Sequence, residues 1–230
     1  MNDVLGWAIS DFHNKQSPGK LWIHNKYGRK EEMPVATFFR GALEMPDLEL
    51  IALQNSTGKV LDVGAGAGSH ALLLQDKSID VTALEISEKA AAVMKQRGVE
   101  KVVQEDIFTF ESDRFDTLLL LMNGIGLTEN LSRLRQFLIH AKGLLQPSGQ
   151  LILDSSDVAY LYENNIPDID HYYGEIMYQY EYKKQKSDWF TWLYIDQKTL
   201  TKTAAEEGWN TEILFVDEFD QYLAKLTRGD

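Results

Sequence analysis

The chain has 230 residues, 44% hydrophobic and 25% charged, a balance that places it among ordinary globular proteins and excludes fibrous and disordered classes. It contains no cysteine, which removes disulfides, thiolate metal sites, iron–sulfur clusters and cysteine-nucleophile chemistry. With 35 Asp and Glu against 23 Lys and Arg the formal charge is −12, so the average field repels phosphate backbones and anionic lipid, and neither nucleic acid nor membrane is an expected partner.

The opening MNDVLGWAISDFHNK carries acids at Asp3 and Asp11 and has no basic region before an apolar stretch. It does not read as a targeting signal, and a cytoplasmic location is expected. Residues 1–58 show no strand alternation and are interrupted by Pro34 and Pro46, which predicts a helical N-terminal cap. Within it, Leu48, Leu50, Ile51 and Leu53 suit a short helix ending near Gly58.

From Lys59 to the end the pattern predicts one α/β domain. Short apolar runs at 60–63, 79–84, 102–104, 115–122 and 150–154 alternate with helical stretches at 69–75, 87–97 and 131–145, the order of βαβ units in a parallel, doubly wound sheet. Ser87 is a suitable N-cap and Gly98 a suitable stop. The uncharged stretch 117–128 is far shorter than the ~20 residues of a spanning helix. At about 172–195 an inserted hairpin is expected: Ile176, Tyr178, Tyr180 and Tyr182 share one parity, and Phe190, Trp192 and Tyr194 alternate in a second run. Lys183, Lys184 and Lys186 fall between them in a solvated turn. A helix at 196–207 and strands at 212–216 and 221–227 complete the domain.

The stretch Val60-Leu61-Asp62-Val63-Gly64-Ala65-Gly66-Ala67-Gly68 is an apolar strand running through a side-chain-poor turn into a helix. Such a turn lets a ligand approach backbone amides, and the helix start adds free N–H groups. Asp62 lies inside this strand, Glu85 ends the next and Asp106 follows the third; in a doubly wound sheet these ends line one crevice. Glu85 stands 21 positions after Gly64, the spacing at which a second-strand carboxylate accepts hydrogen bonds from ribose hydroxyls.

In the segments VLDVGAGAG, ALEIS, QEDIF, FDTLLLLMNGIG and LLQPSGQLIL the chain resembles the class I S-adenosylmethionine-dependent methyltransferases from about Lys59 onward. The resemblance implies a Rossmann-like sheet of about seven strands with the last antiparallel, S-adenosyl-L-methionine as cofactor, and methyl transfer. It further implies that Gly64, Ala65, Gly66 and Gly68 surround the methionine part of the cofactor and that Glu85, followed by Ile86, binds the ribose. Asp106 and Ile107 would lie at the adenine, and Asn123 near the cofactor amino group or the acceptor. Two alternatives stay open: an NAD-dependent oxidoreductase, and a module that binds the cofactor without turnover. Against the first, Ser69 occupies the third glycine of G-x-G-x-x-G, and Asp62 close to the turn repels pyrophosphate but suits an ammonium or a sulfonium.

Absence of cysteine, the MNGIG text after the fourth strand and the negative charge make a small molecule the expected methyl acceptor. No triad is visible, and none is needed, since the leaving group is already activated. His70, His171 and Tyr173 are candidate bases; the bland readings are a polar residue at a helix start or facing solvent and a half-exposed turn. Arg40 is a candidate partner for the cofactor carboxylate, against a surface ion pair. The hairpin aromatics, including Trp189, form a wall for an acceptor or for a second subunit in a homodimer, or else simply cover the sheet edge. The five histidines are scattered, so no metal site is expected.

Overall fold

The computed structural model describes residues 3–112, 114–162 and 169–229. In chain order the elements are α1 (Val4–His13), β1 (Leu21–Asn25), β2 (Glu31–Met33), α2 (Asp47–Asn55), β3 (Val60–Val63), α3 (Ser69–Asp76), β4 (Val81–Leu84), α4 (Glu88–Arg97) and β5 (Val102–Val103). They continue with β6 (Phe115–Leu120), α5 (Leu131–Leu144), β7 (Leu145–Ser156), β8 (Glu175–Tyr182), β9 (Gln185–Lys186), β10 (Phe190–Leu193), α6 (Gln197–Glu206), β11 (Trp209–Val216) and β12 (Gln221–Arg228).

Seven strands form the main sheet in the order β11-β12-β7-β6-β3-β4-β5. The five from β7 to β5 are parallel, and β12 runs antiparallel to both β7 and β11. This is the expected doubly wound α/β sheet with a reversed last strand. Side-chain alternation divides the core between its two faces. Leu61, Val63, Leu118, Leu120, Leu151 and Leu153 pack with residues of α5 and α6, while Val60, Leu119 and Ile152 pack with residues of α2, α3 and α4. By the same parity Asp62 and Asp154, both buried, fall on the second face, and that places two acids under α2 and α3.

The N-terminal region corrects the all-helical expectation. Beside α1 and α2 it contributes β1 and β2, and β1 is the strand between β2 and β8 in a second sheet of order β10-β8-β1-β2, with β9 paired to β8. The segment Leu21–Asn25 is too short and too polar to announce itself; its strand character comes from pairing with the insert, Leu21 opposite Tyr182 and Asn25 opposite Tyr178. The lysine turn is tighter than expected. Lys183 and Lys184 both have positive φ, the geometry of a two-residue hairpin, so Tyr182 pairs directly with Gln185.

A third apolar cluster joins the small sheet to the main one. Val4, Ala8 and Ile9 of α1 meet Leu21, Tyr182, and Ala90 and Val93 of α4. Asp3 caps α1 by accepting from the Gly6 N–H at 2.9 Å and also accepts the Ser87 hydroxyl at 2.7 Å, so one carboxylate ties the start of α1 to the start of α4.

Candidate functional site

Between β3 and α3 the backbone turns through Gly64, Gly66 and Gly68, all with positive φ. The demand for glycine is clearest at Gly68, where an added Cβ would sit 2.8 Å from Val99. At Gly64 the same Cβ would meet nothing nearer than Leu127 at 4.0 Å, so this side of the turn is open to a ligand. Glu85 closes the turn from below: its Oε2 accepts from the Gly66 N–H and its Oε1 from the Ser87 N–H, each at 2.9 Å. Burial raises the Glu85 carboxyl above its ordinary value, and the two backbone N–H groups work against that shift. Ala67 of the turn packs in one apolar cluster with Tyr180 and Tyr182 of β8 and with Phe38, which places the small sheet against the crevice. At the third strand end, Asp106 Oδ1 accepts from the Phe108 N–H at 3.0 Å; Ile107 is buried and Ile86 is exposed.

A buried charge network lies on the α2/α3 face. Glu49 of α2, 4% exposed, accepts from Arg40 Nη2 at 2.5 Å and bonds His70 Nε2 of α3 at 2.9 Å. Burial pulls the His70 imidazole down, but the bond to Glu49 and the charges of Asp62, Glu49 and Asp154 outweigh it, and the net direction is upward. Desolvation pushes Asp62 up and takes Asp154 to about 6. Two buried atoms here have no hydrogen-bond partner, Asp62 Oδ2 and Arg40 Nε.

The end of β6 is strained and tightly held. Met122 and Asn123 both have positive φ, and both oxygens of Asp154 accept from the Asn123 N–H, at 2.8 and 2.9 Å. The Asn123 side chain donates to the Leu193 carbonyl and accepts from Ser155, whose hydroxyl also accepts from the Ile195 N–H. Trp192 donates to the Asn123 carbonyl at 3.1 Å. Asn123 thus fastens the insert to the core, and its carboxamide is turned toward β10. Next to it, at the carboxyl end of β7, lies a cavity of about 450 Å³ walled by Tyr160, Tyr194, Phe219, Asp217, Ser156 and Gln221.

The profile of the family described as "Methyltransferase domain" matches residues 61–153, from inside β3 to near the end of β7. The crystal structure of a SAM-dependent methyltransferase from Bacteroides fragilis, in complex with S-adenosyl-L-homocysteine, superposes with a TM-score of 0.91 at 40% identity, over 99% of this chain and 95% of that one. The chain belongs to the S-adenosylmethionine-dependent methyltransferases. Two further methyltransferases share the fold: CcbJ from Streptomyces caelestis, with a TM-score of 0.64 at 13% identity over 81% of this chain and 91% of that one, and the sugar N-methyltransferase KedS8 from Streptoalloteichus sp. ATCC 53650, with 0.60 at 17% over 90% and 97%. No curated protein sequence matches the chain.

The residues of this methyltransferase fit its cofactor. The open side of Gly64, the carboxylate of Glu85 below the turn, and the unpartnered Asp62 oxygen suit a ribose and an amino-acid ammonium, while a dinucleotide pyrophosphate would meet those acids. The family decides between the cofactor alternatives in favour of S-adenosyl-L-methionine, and the enzyme reading over the non-catalytic one.

The candidate bases of the methyltransferase do not converge. His70 is neither a surface residue nor a free base; it is buried against Glu49. His171 is exposed. Tyr173 donates to Asp157 at 2.7 Å, and burial followed by its hydrogen bonds to Tyr172 and Asp157 pushes its phenol up, away from a base. Arg40 sits in a partly buried ion pair with Glu49 and keeps Nε unengaged. Among the hairpin aromatics, Tyr182 is a core residue bonded to Asp11 and Gly19, Tyr178 donates to Tyr194 at 3.3 Å, and Trp189 is 42% exposed. Sequence reasoning missed Glu49 and Asp154. Glu49 had a readable signal, since it sits three and four positions before the buried Ala52 and Leu53, an acid on the apolar side of α2. Among the described residues no group of three His, Asp or Glu is arranged to hold a metal, and no helix is long and apolar enough to cross a membrane.

Proposed function

We propose that this methyltransferase modifies a small-molecule acceptor bound beside the carboxyl ends of β6 and β7. The observation that carries the reading is the cavity of about 450 Å³ at that edge, a volume within the ~300–1,000 Å³ of small-molecule sites. The charge of −12 argues in the same direction, because it disfavours polyanionic acceptors.

In this reading Gly64, Ala65, Gly66 and Gly68 expose backbone to the methionine part of the cofactor, and Asp62 and Arg40 offer it an acceptor and a donor. Glu85 receives the ribose hydroxyls. The Gly66 and Ser87 N–H groups favour its charged form, against the burial that raises it. Ile86, exposed, and Asp106 with Ile107 flank the adenine end. Asn123 acts by position: it holds β10, and with it Trp192 and Tyr194, over the crevice.

When bound, the cofactor supplies an electrophilic methyl group on a sulfonium with a good leaving group. What remains for the chain is alignment of the acceptor and exclusion of water. The small sheet does the second by covering the crevice with Tyr178, Tyr180 and Tyr194, and the aromatic walls of the cavity do the first. His70, raised by its neighbours Glu49, Asp62 and Asp154, offsets in its protonated form the mutual repulsion of these three buried acids and works against the burial that raises Asp62.

The test is turnover. Protein incubated with S-adenosylmethionine and size-fractionated cell extract, with S-adenosylhomocysteine followed by mass spectrometry, should release product only with the low-molecular-mass fraction. Turnover confined to the macromolecular fraction refutes the small-molecule reading.

A further inference from the structure

The lining of the cavity points to the charge of its occupant. Tyr160, Tyr194 and Phe219 supply three aromatic rings, and Tyr194 meets Tyr178 edge-on at 6.3 Å. Asp217 stands on the wall with Oδ1 fixed by the Phe219 N–H at 2.8 Å and the Gln221 N–H at 2.9 Å. Beneath it, Gln221 Nε2 donates to the buried Asp154 at 3.2 Å. Glu31 of β2 is one of the charges that, after burial, raise the phenols of Tyr178 and Tyr194. Three rings and the Asp217 carboxylate therefore line the cavity, and among the described residues no Lys, Arg or His does.

Aromatic rings combined with fixed carboxylates attract organic cations and repel anions. We propose that the cavity is a recognition site for a small organic amine in its ammonium form, with Asp217 as counter-charge and Tyr160, Tyr194 and Phe219 as the rings around the cationic head. This rests on the small-molecule reading and narrows it to one chemical class. An anionic acceptor would face the Asp217 carboxylate, and a neutral alcohol would gain neither the ion pair nor the cation–ring attraction. Tyr160 and Phe219 are 64% and 75% exposed, so in the absence of an occupant both rings stand in water. A bound ammonium with an apolar tail covers both rings.

The experiment uses the full chain saturated with S-adenosylhomocysteine and titrated at neutral pH with three probes of equal size: 2-phenylethylamine, 2-phenylethanol and phenylacetate. The amine should bind about tenfold or more tightly than the alcohol, and phenylacetate should show no binding. Asp217→Asn keeps a carboxamide oxygen for the two backbone N–H groups, so the turn folds. It should weaken the amine about tenfold and leave the affinities of the alcohol and of S-adenosylhomocysteine unchanged. Phe219→Leu should weaken the amine more than the alcohol. Equal binding of amine and alcohol, binding of phenylacetate, or an unchanged amine affinity in Asp217→Asn overturns the inference while the small-molecule reading stands. Binding of none of the three with S-adenosylhomocysteine still bound also overturns it, and the extract experiment then decides separately whether a small molecule is the acceptor.

Discussion

Replacing Glu49 by Gln tests the buried network most directly. The substitution keeps size and one acceptor oxygen but removes the charge shared by Arg40 at 2.5 Å and His70 at 2.9 Å. Both partners lie largely out of water, with side-chain exposures of 21% and 8%, so solvent compensates little. Removing one member of a buried pair costs about 3–5 kcal/mol, and a retained neutral hydrogen bond recovers about 1 kcal/mol, which leaves an expected loss near 3 kcal/mol. Urea unfolding of the two proteins should show that loss as a lower midpoint at constant slope. Nuclear magnetic resonance titration should find the His70 imidazole moved downward, because its main raising contribution is the Glu49 bond. A loss below about 1 kcal/mol together with an unmoved His70 titration refutes the argument that this network is charged and tightly coupled.

Two further outcomes follow. Glu85→Ala should weaken S-adenosylhomocysteine binding by about 2–4 kcal/mol in calorimetry, because charge-assisted hydrogen bonds contribute about 1.5–3 kcal/mol each; equal affinity removes Glu85 from the ribose site. Asp154, raised from 3.8 to about 6, binds its proton more tightly folded than unfolded, so its contribution is complete below pH 4 and fades as pH rises toward 6. That gap corresponds to about 3 kcal/mol, and Asp154→Asn should flatten the fall in stability across this range in pH-dependent denaturation.

The legible part of the molecule was the part governed by local pattern. The run from Val60 into Gly64, the distance from there to Glu85 and the Ser87 cap state the parallel sheet and its crevice directly, and β3 begins and ends at the expected residues. What escaped depends on contacts made at long range. β1 carries one buried side chain, and while one side pairs with the three-residue β2, the other pairs with β8, beyond β7 in the chain, so no window around Leu21 contains the whole reason for its extension. Asp154 reads as the end of a strand, and only the parity it shares with Ile152 places it under Glu49 and His70. Asn123 stands out in the sequence by its place at the end of β6, but its work as a fastener between β6 and β10 required the geometry of Leu193 and Ser155.

The place of β1 between β2 and β8 has a consequence for biosynthesis. The Gly19 N–H meets the Tyr182 hydroxyl across 163 positions, so although β2 pairs with one side of β1 early, the side of β1 that faces β8 waits for most of the polypeptide before it can pair. Until then its edge hydrogen-bonding groups are unprotected. The roof over the crevice is consequently among the last parts to assemble, and a nascent chain stalled before Tyr182 carries the glycine turn without its cover.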